Sequence, residues 1–227
     1  MNGYLLIPAA GSGRRMGADR NKLLLPLLGE PILAWTLKAA IATPGVCWLG
    51  IMVHPQDRAD ITAIVAALHP EVPVELIEGG ATRQASVWAG VQALPQGADS
   101  VLIHDGARCL ATPNLFHRCW ADLATTPALI AAVPVKDTIK EVVNQKIVHT
   151  PARDRLWAAQ TPQGFHVPLL RAAHQQSLEN GWEVTDDAAL LERMGHEVAI
   201  VIGEETNLKI TTPADLAIAT LILQSRL

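Results

Sequence analysis

Six short apolar runs punctuate the chain, at Tyr4–Pro8, Trp48–Val53, Val74–Ile77, Ser100–His104, Leu129–Val133 and Val198–Ile202. They are continuous rather than alternating, the pattern of strands buried on both faces. Amphipathic stretches separate them, and these predict helices over Ile32–Ile41, Asp57–Leu68, Thr82–Leu94, Pro113–Ala124, Val167–Asn180, Asp186–Met194 and Pro213–Leu223. Pro31, Pro113 and Pro213 stand at helix starts, the last two behind threonines able to cap. Strand and helix in repetition imply an α/β fold, a mostly parallel sheet flanked by helices. With 227 residues, 49% of them hydrophobic, the chain can bury one full core, and no linker-like stretch divides it. One domain over residues 1–227 is the simplest expectation.

One segment departs from that rhythm. Asp137–His149, DTIKEVVNQKIVH, alternates polar and apolar residues around Asn144–Gln145 and reads as a β-hairpin. It forms an inserted arm, about residues 136–156, where a doubly wound sheet would turn into a crossover helix. A hairpin cannot bury both faces alone. Packing on a second subunit is the preferred expectation, with an ordinary antiparallel edge addition as the alternative.

Eighteen basic residues against 22 acidic ones give a net charge of −4, which speaks against a general nucleic-acid binder. The positive charge is bunched: Arg14, Arg15, Arg20 and Lys22 crowd together with Asp19 as their only acidic neighbour. An acidic protein with one cationic loop suggests a small anionic ligand. Membrane insertion is not expected, since no apolar run reaches the ~18 residues a span needs. The N-terminus lacks the charged leader of a secretory signal. Three cysteines, odd in number and without CxxC spacing, fit a reducing compartment and no cysteine zinc site. A cytoplasmic protein is expected, or a plastid one only if a transit peptide precedes this sequence.

The cationic loop follows the first strand and reads PAAGSGRRMG (Pro8–Gly17), with Lys22 beyond it. That position is the carboxyl edge of the sheet, where open α/β folds bind ligands. Its glycines let backbone N–H groups approach phosphate oxygens, its arginines supply planar forks, and Lys22 adds a compact charge. A Walker loop would end in Gly-Lys-Ser/Thr, whereas this one ends in Met16-Gly17. A dinucleotide fingerprint would space its glycines GxGxxG and place an acid at the end of the second strand. Here Gly11, Gly13 and Gly17 are spaced differently, and Val53-His54-Pro55 offers no carboxylate.

Asp105 follows the run Ser100–His104 and projects toward the cationic loop. A carboxylate among phosphates repels them unless a cation intervenes, so a Mg²⁺ ligand is one reading and an Asx-turn residue the other. Gly79 and Gly80 precede a helix opening at Thr82; they allow a flat base against the backbone, with Ser86 able to bond it, or they form a turn behind a helix cap. Lys209, one of six lysines, reads from composition as a solvated charge, Arg153 as a turn residue, and Thr185 as an N-cap before Asp186-Asp187. That acidic pair reads as first-turn charge at a helix N-terminus. His104 reads as a satisfied core histidine, and Trp35, Trp88 and Trp120 as core.

These pieces together resemble the nucleotidyltransferases that join a sugar or polyol phosphate to a nucleotide, and more narrowly the 2-C-methyl-D-erythritol 4-phosphate cytidylyltransferase family. The resemblance rests on PAAGSGRRMG with Lys22, GGATRQAS (Gly79–Ser86), HDGAR (His104–Arg108), AAQTPQGF (Ala158–Phe165), VTDDA (Val184–Ala188) and NLKIT (Asn207–Thr211). Each is weak alone; six in order are specific. The resemblance implies a Rossmann-like fold with a β-arm used in dimerisation, CTP and a polyol phosphate as substrates, dependence on Mg²⁺ or another divalent cation, and a place in isoprenoid precursor synthesis. It further implies nucleotide contacts from Pro8, Ala9, Ala10, Gly11, Gly13, Gly79, Gly80, Arg83, Ser86 and Asp105, with Asp105 also at the metal and the second substrate. Arg15, Lys22 and Lys209 would be catalytic. Arg108, Arg153 and Thr185 would reach the polyol phosphate, the last two from the neighbouring subunit. The family usually carries alanine where this chain has Gly106, and a small residue is kept. Other classes considered are a sibling transferase for ribitol 5-phosphate or another nucleotide, an NAD(P)-dependent oxidoreductase, and a non-catalytic nucleotide sensor.

Overall fold

The structure, a computed structural model, describes residues 3–11 and 21–226. β1 (Gly3–Pro8) is followed by the short pair β2 (Pro26–Leu27) and β3 (Glu30–Pro31), then α1 (Ile32–Ile41), β4 (Val46–Val53), α2 (Arg58–Leu68), β5 (Val74–Glu78), α3 (Arg83–Ala93) and β6 (Ser100–Ile103). The second half runs α4 (Pro113–Leu123), β7 (Ala128–Pro134), β8 (Glu141–Val143), β9 (Lys146–His149), β10 (Trp157–His166), α5 (Val167–Asn180), α6 (Ala188–Arg193), β11 (Ala199–Ile202) and α7 (Pro213–Gln224). All six predicted strands and all seven predicted helices are present, within about two residues at each end.

The helix starts follow their chemistry. Thr82, Thr112 and Thr212 each accept a hydrogen bond from the third residue on, and Thr212 closes a reciprocal capping box with Asp215. α6 differs from expectation, beginning at Ala188 rather than Asp186. Thr185 does not cap it: the Asp186 side chain accepts from Ala189 N (3.2 Å), and Asp187 points inward.

The main sheet has the order β11-β7-β10-β6-β1-β4-β5. Every neighbouring pair is parallel except those made by β10, which runs antiparallel to both β6 and β7. β1 sends its chain outward to β4 on one side, while β6 lies on its other side. The crevice at their carboxyl ends is therefore the switch point at which such sheets bind ligands. The register Leu6↔Ile103 brings Pro8 and Asp105 to that same end. Apolar residues fill both faces: Leu5, Ile7, Leu33, Leu49 and Phe116 belong to one core cluster, and Leu6, Met52, Val87, Phe165 and Leu170 to the other. Alternate residues of β1 thus serve opposite layers. Trp120 is core, as expected. Trp35 and Trp88 are only half-buried; Trp35 Nε1 donates to Leu27 O (2.8 Å), and Trp88 stacks on His174.

The arm is a hairpin on its own. Among the described residues β8 and β9 pair only with each other, and the hairpin is not added to the edge of the main sheet. Asn144 and Gln145 both take positive φ (49° and 62°), the backbone of a two-residue hairpin turn. Val142, Val143, Ile147 and Val148 are 53–63% exposed.

Candidate active site

A cavity of about 640 Å³ opens at the switch point. Pro8, Ala10 and Gly11 form one wall at the end of β1, and Gly80, Ala81, Thr82, Arg83 and Ser86 form another at the start of α3. Asp105, Gly106 and Ala107 lie beyond β6, and Lys209 and Thr211 precede α7. Backbone hydrogen bonds fix these walls: Ala9 N donates to Met52 O (2.8 Å), Gly79 N to Val53 O (2.9 Å), and Gly106 N to Pro8 O (3.4 Å). A side chain on Gly79 would sit 2.5 Å from Ala10 Cβ, so these two segments touch because one of them lacks a Cβ. Ser86 ties the turn to its helix, its hydroxyl accepting from Gly80 N (3.0 Å) and donating to Thr82 O (2.9 Å).

Asp105 is buried at the floor, with Arg83 Nε 3.1 Å from one carboxylate oxygen and Lys209 Nζ 2.6 Å from the other. Burial pushes its carboxyl pKa up, but the charges of Arg83 and Lys209 outweigh that and hold it well below the ordinary 3.8. Its backbone N–H donates to Thr161 Oγ1 (3.0 Å) on β10. Lys22 Nζ donates to Ile210 O at 2.6 Å, beside Lys209 in the chain. His104 is fully buried, 3.0 Å from Thr161 Oγ1 and 3.1 Å from Arg108 O; burial takes its pKa down to about 4, so it stays neutral near pH 7. It is a core histidine, as read from the sequence.

Of the residues expected at the site, Pro8, Ala10, Gly11, Lys22, Gly80, Arg83, Ser86, Asp105 and Lys209 line this one cavity. Ala9 and Gly79 stand immediately behind it. Gly13 and Arg15 lie outside the described residues. Arg108 donates to Asn207 O (2.7 Å), in the segment between β11 and α7, and to Ala159 O (3.2 Å) on β10. Arg153 caps nothing in the cavity; its guanidinium donates to Lys136 O (2.6 Å) at the base of the arm. Thr185 is exposed and also absent from the lining. Asp187 corrects the sequence reading most sharply. It is no solvated first-turn charge but a fully buried carboxylate on Arg83 Nη1 (2.8 Å). His54, Leu23 and Thr211 also line the cavity; Thr211 closes the NLKIT motif, while only their places at element ends could have signalled His54 and Leu23.

Among the described lining residues Asp105 is the one carboxylate. Among the described residues no cluster of three His, Cys, Asp or Glu is placed to hold a metal, and both oxygens of Asp105 are already ion-paired. A divalent cation entering this cavity would need most of its oxygen ligands from outside the described residues, with Asp105 the one carboxylate among those lining it.

The family model described as "IspD: 2-C-methyl-D-erythritol 4-phosphate cytidylyltransferase" matches residues 4–225. The chain belongs to that family. A protein of Microcystis aeruginosa bearing the same name is 63% identical over 99% of this chain and 100% of its own length, and one from Synechococcus elongatus is 64% identical over 98% and 97%. Among solved structures, the 4-diphosphocytidyl-2C-methyl-D-erythritol synthase of Anaerococcus prevotii superposes with a TM-score of 0.87 at 30% identity, covering 98% of each chain. The 2-C-methyl-D-erythritol 4-phosphate cytidylyltransferase of Thermus thermophilus gives 0.80 at 33%, covering 99% and 100%. Family membership leaves no place for the dinucleotide-oxidoreductase reading, in line with the missing acid after β4. Among the described residues no helix is long and apolar enough to cross a membrane.

Proposed function

We infer that the chain transfers the cytidylyl group of CTP to 2-C-methyl-D-erythritol 4-phosphate, releasing pyrophosphate, in the non-mevalonate route to isoprenoid precursors. The match of the family over nearly the whole chain carries this reading. In the reaction a phosphate oxygen of the polyol phosphate bonds to the α-phosphorus of CTP. The bond from that phosphorus to its bridging oxygen breaks, and pyrophosphate leaves with the electron pair. A phosphate monoester is already an anion near neutral pH, so no general base is required. The work is electrostatic: two anions must meet, and charge builds on the transferring phosphorus. Lys22 and Lys209 line the cavity where phosphates would lie, and Asp105 holds the Lys209 ammonium in place. A bound divalent cation would neutralise phosphate charge further.

Arg108, Arg153 and Thr185 would bind the second phosphate. Because Arg153 and Thr185 sit away from their own cavity, each would serve the site of a partner protomer. The bare hairpin supports such a dimer, as do Ile200 and Ile202, 45% and 57% exposed on the edge strand β11. The three cysteines are all free, which suits a cytoplasmic setting.

Pyrophosphate release, measured with four nucleoside triphosphates against 2-C-methyl-D-erythritol 4-phosphate and ribitol 5-phosphate, tests the reaction. Release with CTP and the methylerythritol phosphate alone is expected; equal turnover of ribitol 5-phosphate would defeat the substrate assignment. Mixing inactive Lys22→Ala and Arg153→Ala proteins should restore activity through mixed dimers. A fully active monomer in sedimentation would refute the shared site.

A further inference from the structure

Behind the cavity wall lies a line of charged groups that the reaction as written leaves unused. Asp187 is 0% exposed at the start of α6 and His174 1% exposed on α5. The Asp187 carboxylate has one oxygen 2.8 Å from Arg83 Nη1 and the other 3.3 Å from His174 Nε2. Among the described residues neither of those last two atoms makes a hydrogen bond, so each faces the other across this ion-pair distance in a buried site. Arg83 in turn places Nε on Asp105, whose second oxygen holds Lys209. Charges therefore alternate from the cavity inward: Lys209, Asp105, Arg83, Asp187, with His174 behind. Burial disfavours the charged Arg83, but Asp187, and after it Asp105, raise its pKa above the ordinary arginine value.

The line is held at its inner end from several directions. Asp187 N donates to Gln163 Oε1 (3.2 Å), and Gln163 Nε2 donates to Asp186 (2.7 Å), fixing the α6 start against β10. Trp88 stacks on the His174 ring at 5.4 Å. Next to Arg83 on α3, Gln84 binds Ser177 Oγ and Trp182 O, both at 3.0 Å, which locks α3 to α5. Arg83 thus spans two carboxylates, one in the cavity and one in the core. A guanidinium with only Asp105 to hold it could swing about its side-chain torsions and take the carboxylate with it. With Asp187 behind, its plane is set from two ends.

We propose that Asp187, braced by His174, is a positioning residue for cytidylyl transfer: it fixes the Arg83 guanidinium so that Asp105 and Lys209 stand at the cavity floor in their working geometry. It touches no substrate and acts only through Arg83. This rests on the cytidylyltransferase reading for its kinetic consequence, though not for its structural one. Misplacement of such groups by ~1 Å typically costs about 10²-fold in rate, so Asp187→Asn should lower kcat by about tenfold to a hundredfold. His174→Phe, which keeps a ring against Trp88, should give a smaller loss of the same kind.

A double-mutant cycle with Arg83→Gln separates positioning from general damage. In the Arg83→Gln background, adding Asp187→Asn should change kcat by no more than about twofold, because the group it acts through is already gone. An equal loss in both backgrounds would overturn the proposal. Should Asp187→Asn alone not fold, the double variant, which buries neither charge, is compared with Arg83→Gln; a further tenfold drop there also overturns it. Independently of turnover, ¹⁵N spectra of the intact protein should resolve the Arg83 Nη protons in the wild type and average them in Asp187→Asn. Identical signals in the two would refute the anchoring. A wild type inactive with CTP would instead defeat the proposed reaction while leaving this spectroscopic outcome to be read.

Discussion

Gly79→Ala tests the claim that the nucleotide side of the cavity depends on two backbones in contact. Gly79 does not require a left-handed conformation, so the substitution acts through space alone. The added Cβ would lie 2.5 Å from Ala10 Cβ, 3.1 Å from Ser86 Oγ and 3.4 Å from Val53 O. Carbon atoms pack at ~3.5–4.0 Å, so the Ala10 and Gly79 segments must separate by roughly 1 Å. Neither methyl has a flexible end to yield. Overpacking of this kind costs ~1–3 kcal/mol, which for a chain of this size lowers the melting temperature by about 2–12 °C. The effect on turnover should exceed the effect on stability, because the displaced segments line the ligand site and a shift of ~1 Å costs about 10²-fold. Steady-state pyrophosphate release with CTP varied, alongside a thermal melt, reads both. Ala10→Gly removes the opposing methyl, so the double variant Gly79→Ala/Ala10→Gly should recover most of the lost activity. Wild-type kinetics in Gly79→Ala, or no rescue in the double variant, would refute the reasoning.

Other outcomes follow from the same geometry. Lys22→Ala removes a cavity cation held on Ile210 O and should cut turnover by ~10²–10³ with the melt little changed; near-normal pyrophosphate release would count against the phosphate-binding role. Asp105→Asn leaves Arg83 and Lys209 facing each other across a neutral amide and should cost about 3 kcal/mol at neutral pH. Because the folded pKa of Asp105 lies below 3.8, that stabilisation is complete above 3.8 and fades as pH falls through the folded value. The stability gap between wild type and variant should therefore narrow only in acid, and a gap that closes already at about pH 5 would contradict the ion pairs. His104 has its pKa lowered from 6.5 to about 4, so its contribution is whole above 6.5 and lost as pH drops toward 4. That loss is about 3 kcal/mol, and chemical denaturation of His104→Asn across this range should show a flatter pH dependence than the wild type.

Much of the fold was legible because its signals are local. Apolar runs marked β1, β4, β6, β7 and β11 and, interrupted by Glu75, β5. β5 and β11 prove to be partly exposed edge strands rather than strands buried on both faces. Threonines before proline marked the starts of α4 and α7. β10 was not among the strands read from apolar runs, for a physical reason. Its sequence carries Pro162 and Gly164, which argue against a central strand, and it lacks an apolar run. It is tolerated because the ladder with β7 is irregular between Ala159 and Gln163, where Pro162 needs no partner. Gly164 is needed there, since a Cβ would press on Leu102 and Leu123 at 2.8 and 2.9 Å. The site divides the same way. Residues inside one motif, such as Gly80, Ser86 and Asp105, could be placed from the sequence. Asp187 could not, because its partner Arg83 is 104 residues away and an Asp-Asp pair before a helix looks the same whether it faces water or an arginine.

The charge of the site has a similar logic. Lys209, Asp105, Arg83 and Asp187 sum to zero, so the floor of the cavity is neutral as a unit. Lys22 adds a further lysine to the lining, its ammonium donating to Ile210 O at 2.6 Å. Its carbonyl partner, Ile210, belongs to the segment that carries Lys209, and that segment is pinned at both ends of the short run. Asn207, fully buried, donates to Gln160 Oε1 and Thr161 O, and Ile210 N donates to Ala107 O. One rigid segment thus sets the positions of both lysines. An ammonium has three N–H donors, so a phosphate entering between them could bind both lysines while each keeps the acceptor that positions it, Ile210 O or Asp105. A chain of net charge −4 could hold a polyanion on these terms, because recognition would depend on donors fixed at the floor of one cavity rather than on the sign of the whole surface.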